Sequence, residues 1–86
     1  MRRENAMSEK DLMLYINPNC PFCRKVMKYM DESGIEGVPT KDVREDGVRD
    51  ELRGIGGKTQ VPALVIDGEA LYESDAIIEW MEGELA

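Results

Sequence analysis

Residues 12–23, LMLYINPNCPFC, change character halfway and thereby set the architecture. Leu12 to Asn17 is a short apolar run stopped by Asn-Pro, which fits a strand covered on both faces of a sheet. From Pro21 the period becomes helical. Phe22, Val26 and Met30 recur every four residues with Met27 beside them, while Arg24, Lys25, Lys28 and Asp31 take the other side. Pro21 suits the first turn of that helix, and Gly34 suits the left-handed position just past its end. The two cysteines, Cys20 and Cys23, therefore straddle the point where a strand gives way to a helix.

Working outward, residues 37–43 (GVPTKDV) read as a weaker strand near a sheet edge, because Pro39 has no N–H for a ladder. Residues 46–53 carry Val48, Leu52 and, beyond them, Ile55 at helical spacing, opened by acids and closed by Gly54, Gly56 and Gly57. Residues 62–67 (PALVID), the pair Asp67-Gly68 and residues 69–72 read as a hairpin, since Asp-Gly readily takes the positive backbone angles of a tight turn. Ser74 is expected to cap a last helix with Ile77, Ile78, Met81 and Leu85 inward. Trp80 and the methionines fall at helical spacing and are expected to pack. The order is βαβαββα, an α/β fold with a four-stranded mixed sheet flanked by helices. The reading divides the chain into a polar leader over residues 1–10, with Met7 a candidate alternative start, and one domain over residues 11–86.

Eighty-six residues hold one compact domain. Eleven basic against eighteen acidic residues leave a net charge of −7, which disfavours nucleic acid and anionic membrane, both of which need a basic face. The longest apolar run is far short of a membrane span, and residues 1–10 lack the apolar core of a secretory signal. A soluble, cytoplasmic, monomeric protein is the expectation. With no histidine, a Cys-His or Ser-His pair and a His-liganded metal are excluded. A Gly57-Lys58-Thr59 triplet does not make a phosphate loop, because Leu52 stands where the first glycine is required.

The cysteines then carry the chemistry. So close a pair is a poor structural staple, since closing a short loop removes little chain entropy. Zinc would need two further ligands, and the chain has no other Cys or His. At an N-cap, Cys20 faces the unpaired amides of Phe22 and Cys23 and the positive end of the helix dipole, which favours thiolate over thiol. Arg24, Lys25 and Lys28 add local positive charge. Cys23, one turn in, is expected to be the buried, less acidic thiol that resolves a mixed disulfide formed on Cys20.

The CPFC motif after the first strand, Gln60-Val61-Pro62, and residues 71–77 (LYESDAI) resemble glutaredoxins and, in the C-terminal half, the glutathione-transferase N-terminal domain. The resemblance spans residues 12–85. It implies a thioredoxin-like fold, a cis peptide between Val61 and Pro62 facing Cys20, and glutathione as co-substrate with no tightly bound cofactor. It also implies glutathione contacts at Pro21, Phe22, Gln60, Val61, Pro62, Ser74 and Asp75, with Lys58 a candidate for the glycyl carboxylate. Glutaredoxins often carry Lys where this chain has Asn17 and Thr where it has Gln60.

The implied activity is a glutathione-dependent thiol-disulfide oxidoreductase acting on protein disulfides or glutathionylated proteins through Cys20 and Cys23. Two alternatives stay open. One is a redoxin reduced directly by thioredoxin reductase and donating electrons to ribonucleotide reductase. The other is a carrier of a [2Fe-2S] cluster bridged by glutathione between two subunits.

Overall fold

The computed structural model describes residues 11–85; the leader read over residues 1–10, Met7 included, lies outside the described residues. Seven elements follow in order: β1 (Leu12–Ile16), α1 (Pro21–Glu32), β2 (Thr40–Asp42), α2 (Val48–Gly56), β3 (Ala63–Ile66), β4 (Glu69–Tyr72) and α3 (Ser74–Glu84). The sheet runs β2-β1-β3-β4, with β1 and β2 parallel and the other two pairings antiparallel. This is the mixed, thioredoxin-like βαβαββα arrangement expected. None of the described helices is long and apolar enough to cross a membrane.

Side chains alternate across a strand, so β1 feeds two cores. Leu14 and Ile16 pack with Leu64, with Cys23 and Val26 of α1, and with Ile77 and Met81 of α3. Tyr15 packs on the opposite face with Val43, Ala63 and Val65 and with Val48 and Leu52 of α2. Strands buried on both sides read as continuous apolar runs, which is what LMLYI and ALVI are. The Tyr15 hydroxyl donates to the Glu51 carboxylate, which also accepts from Lys41 Nζ at 2.7 Å, tying β1, α2 and β2 together. Burial, then the Glu51 hydrogen bond and charge, push the Tyr15 phenol up to about 12.

The elements depart from the sequence reading in instructive places. β2 is shorter than residues 37–43; Pro39 lies outside it, and its carbonyl accepts the Leu14 N–H at 2.9 Å. Phe22 is 61% exposed, and Met27 and Ile55 are each 38% exposed. The sheet and α3 cover the Cys23–Val26–Met30 line of α1 with Tyr29 beside it, and Leu52 takes the buried place on α2 that leaves Ile55 outside. Ser74 is not the N-cap of α3. Glu73 holds that position at φ +75° with no side-chain cap, and Ser74 is the first helical residue, buried.

α2 runs through Gly54 and Gly56 and stops at Gly57, whose φ of +83° lets its N–H reach the Arg53 carbonyl at 2.8 Å. Gly56 has a steric reason to be glycine. A Cβ there would sit 2.7 Å from Ala70 Cβ on β4 and would overlap the Tyr72 hydroxyl. Gly56→Ala is therefore expected to lower stability by about 1–3 kcal/mol through overpacking, outweighing the roughly 1 kcal/mol that alanine gains over glycine inside a helix. Urea denaturation checks this against Gly54→Ala, whose Cβ would meet nothing within 4 Å and which should be neutral or stabilising. Equal midpoints for the two variants would dismiss the close approach of α2 to β4.

Candidate active site

The loop from Asn17 to Cys20 places the first cysteine. Asn17 accepts the Cys20 N–H on its carbonyl at 2.9 Å and the Asn19 N–H on Oδ1 at 3.0 Å, a side-chain-closed turn. Its own N–H donates to Cys23 Sγ at 3.3 Å. Asn17 thus organises both thiols, a role that its sequence position beside a proline did not reveal.

Cys20 adopts an extended backbone (φ −88°, ψ 125°) at the N-cap of α1, and its carbonyl accepts the Arg24 N–H at 3.0 Å as the helix begins. Its thiol is held below the usual range. The largest cause is the backbone N–H of Cys23, joined by that of Phe22, by the Cys23 thiol and by the charge of Arg24, against some desolvation. Helix-start amides stabilise a sulfur anion as they do any anion there. Cys23 is fully buried, and desolvation pushes it up to about 11, with the neighbouring Cys20 adding to the rise and the Asn17 N–H opposing it. Both thiols are free and the two environments are opposite.

Beside this pair lies a cleft of about 270 Å³ lined by Phe22, Gln60, Val61, Pro62, Glu73, Ser74 and Asp75. Three separate chain segments meet there: the start of α1, the loop before β3 and the start of α3. The Val61–Pro62 peptide is cis, as the resemblance implied. Val61 packs against the same core as Cys20, and among the described residues its N–H and C=O have no backbone partner. Six of the residues expected to bind glutathione therefore converge.

The remaining two differ. Pro21 is exposed at the first helical position and does not line the cleft. Lys58 is turned away, with its ammonium 5.2 Å from the Tyr72 ring centre and its carbonyl accepting the Tyr72 hydroxyl at 3.3 Å. Asp75 is in the cleft wall but is already bridged to Lys25 of α1 at 2.5 Å. Glu73 is a lining residue that the sequence reading passed over. Its signal is visible only in the backbone, where a non-glycine residue at positive φ turns the chain into α3.

Comparison with known proteins agrees with this geometry. The family model of the glutathione S-transferase N-terminal domain matches residues 14–85. A glutaredoxin-like 8.6 kDa protein of the rubredoxin operon of Clostridium pasteurianum is 29% identical over 73 residues, 79% of this chain and 97% of that protein. Glutaredoxin-C8 of Oryza sativa subsp. japonica is 29% identical over 89 residues, 96% of this chain and 65% of that protein. Among solved structures, the buckwheat glutaredoxin-glutathione complex superposes with a TM-score of 0.66 at 21% identity, over 92% of this chain and 76% of that one.

Proposed function

The chain belongs to the glutathione S-transferase N-terminal domain family, within the glutaredoxin and thioredoxin-like group, and on that premise we propose that it is a glutaredoxin-like dithiol oxidoreductase using glutathione as co-substrate. The observation that carries the reading is the opposite tuning of two thiols one helical turn apart, beside a cleft built on a cis Val61–Pro62 peptide. Likeness to glutaredoxins supports thiol oxidoreductase chemistry at this pair.

The Cys20 thiolate attacks one sulfur of a substrate disulfide. A Cys20–substrate disulfide forms, and the other substrate sulfur leaves as thiolate and takes a proton. With a protein disulfide, Cys23 gives up its proton and attacks Cys20 Sγ. The mixed bond breaks, the second substrate thiol is released, and the two electrons lost by the cysteines have reduced the substrate. Burial keeps Cys23 protonated until the charge on Cys20 has gone into the mixed disulfide, which removes one of the causes raising it. Two glutathione thiols then restore the dithiol and leave as glutathione disulfide. Backbone pairing at Val61 would align the cysteinyl part of glutathione. Ser74 at the start of α3, with the carboxylates of Glu73 and Asp75, would receive its γ-glutamyl end.

A second reading, direct reduction by a flavoprotein dithiol such as thioredoxin reductase, is favoured by one observation: Asp75 and Lys58 are both engaged within the chain. A [2Fe-2S] cluster bridged by glutathione between two subunits would draw one thiolate, Cys20, from each chain, whereas no group of three or more His, Cys, Asp or Glu that could hold a metal converges among the described residues of one chain.

Mass spectrometry of Cys23→Ser after exposure to glutathione disulfide tests glutathione recognition. One glutathione per chain, on Cys20, is expected. An unmodified Cys20 under conditions where thioredoxin reductase turns the oxidised wild type over would replace the glutathione reading by the second.

A further inference from the structure

Among the described residues, five of the eight cations are engaged within the chain. Lys25, Lys41, Arg44 and Arg53 are paired with Asp75, Glu51, Asp42 and Asp50, and Lys58 lies on Tyr72. Arg49 of α2, across the sheet from α1, makes no ion pair among the described residues; nor do Arg24 and Lys28, which are exposed. They lie one turn apart on α1, starting one turn from Cys20, and Met27, 38% exposed, adjoins them at helical spacing. At 100° per residue, Phe22 is about 160° around the helix from Arg24. The cleft thus flanks Cys20 on one side and the Arg24–Met27–Lys28 stripe on the other. Asp31 and Glu32 follow, which confines the positive strip to the first two turns.

We propose that this strip is the docking surface for the polypeptide substrate, an extended acidic segment bearing a disulfide, whose carboxylates meet Arg24 and Lys28 and whose apolar side chain rests on Met27. The inference rests on the oxidoreductase reading above and names its substrate class. Glutathione fills a cleft; a polypeptide must continue past the thiolate, and this strip borders the thiolate on the side away from the cleft. Eight helical residues from Cys20 to Lys28 rise about 12 Å, which an extended peptide covers in about four residues. Acidic residues two to four positions from the reacting cysteine therefore fall on the strip. The net charge of −7 repels large acidic surfaces, but screening confines that repulsion to about 8 Å at physiological salt. A short tail with two or three carboxylates feels chiefly the local cations.

The test uses three peptide disulfides identical except for Glu, Gln or Lys two and four residues from the cysteine, with hydroxyethyl disulfide as a substrate that has no flanks. The wild type should reduce the Glu peptide about threefold to tenfold faster, in kcat/KM, than the Lys peptide at physiological ionic strength, as expected for two exposed ion pairs. The preference should fade with added salt. Lys28→Glu should abolish or invert it once each peptide rate is divided by that variant's own hydroxyethyl disulfide turnover, which carries any change in Cys20 reactivity. In parallel, a Glu peptide with Ser in place of Cys should perturb α1 amides from Arg24 to Lys28 in an NMR titration, a readout that needs no redox chemistry. Equal rates on all three peptides, a preference untouched by Lys28→Glu, or perturbations elsewhere would overturn the docking surface. Loss of hydroxyethyl disulfide turnover in the wild type, with the amide perturbations intact, would instead overturn the oxidoreductase reading and keep the strip as a binding surface.

Discussion

Replacing Cys20 by Ser should lower every disulfide exchange activity of the protein by about 10⁴-fold or more, the scale seen when an enzyme loses its nucleophile. A serine hydroxyl at the same N-cap stays protonated at neutral pH, so the helix-start amides of Phe22 and Cys23 have no anion to stabilise. Cys23 cannot substitute for it, because it is fully buried and pushed up to about 11. Cys23→Ser should behave differently. It should retain release of glutathione from glutathionylated protein, in which a second glutathione resolves the mixed disulfide on Cys20. Reduction of protein disulfides should stall at a trapped mixed disulfide visible on a non-reducing gel. Parallel assays of both variants with a glutathionylated peptide and a disulfide-bonded protein give the answer. Appreciable exchange by Cys20→Ser, or equal losses in the two variants, would reverse the roles of attacker and resolver.

Titration should separate the two thiols. Cys20 is held below its ordinary value, near 9, chiefly by the Cys23 backbone N–H, and Cys23 is raised to about 11 chiefly by burial. At pH 7 only about one Cys23 in ten thousand is thiolate, and exposure compounds the difference. Iodoacetamide should therefore label Cys20 alone at neutral pH, with its rate already levelling off below pH 9, while Cys23 reacts only in denaturant. The same shifts act on stability in opposite senses. The unfolded chain keeps its Cys20 proton at a pH where the folded chain has lost it, so the Cys20 contribution is present above the ordinary thiol value and is lost as pH falls through the depressed one. The Cys23 contribution is full below the ordinary value and is lost as pH rises through about 11. Stability of the reduced protein measured in urea should accordingly peak near the ordinary thiol pH. A labelling rate for Cys20 that keeps climbing beyond pH 9 would mean that the helix start does not stabilise its anion.

Local chemistry made much of the fold legible. Period changes at Asn17-Pro18 and Pro21, the Asp67-Gly68 turn and the apolar runs LMLYI and ALVI each follow from short-range rules of strand, helix and turn. The hairpin turn holds in detail, with Asp67 at φ +50° and Gly68 at φ +88°, the mirror-image turn that twists with its strands. Elements ended where tertiary contacts decide rather than propensity. α2 passes Gly54 and Gly56 because β4 presses on Gly56, and α3 starts at a buried Ser74 because Glu73 absorbs the bend.

For the site, the cysteine pair at the helix start was readable from its spacing, and six of the residues that line the cleft were named through the resemblance to glutaredoxins. Asn17 and Glu73 were not readable, because Asn17 acts on the thiols through its backbone N–H and C=O, with its side chain closing the turn, and Glu73 acts through a backbone angle. Nor could the sequence pair Lys25 with Asp75, fifty residues on, or lay Lys58 on Tyr72. Charges choose partners by distance after the chain has packed. By itself the sequence determined that a thiol stands at a helix start with a second one turn behind it, because helix, cap and spacing are local properties. Only the tertiary structure decided which charges remain free around that thiol, because α1, α3 and the loop before β3 meet there through long-range burial alone.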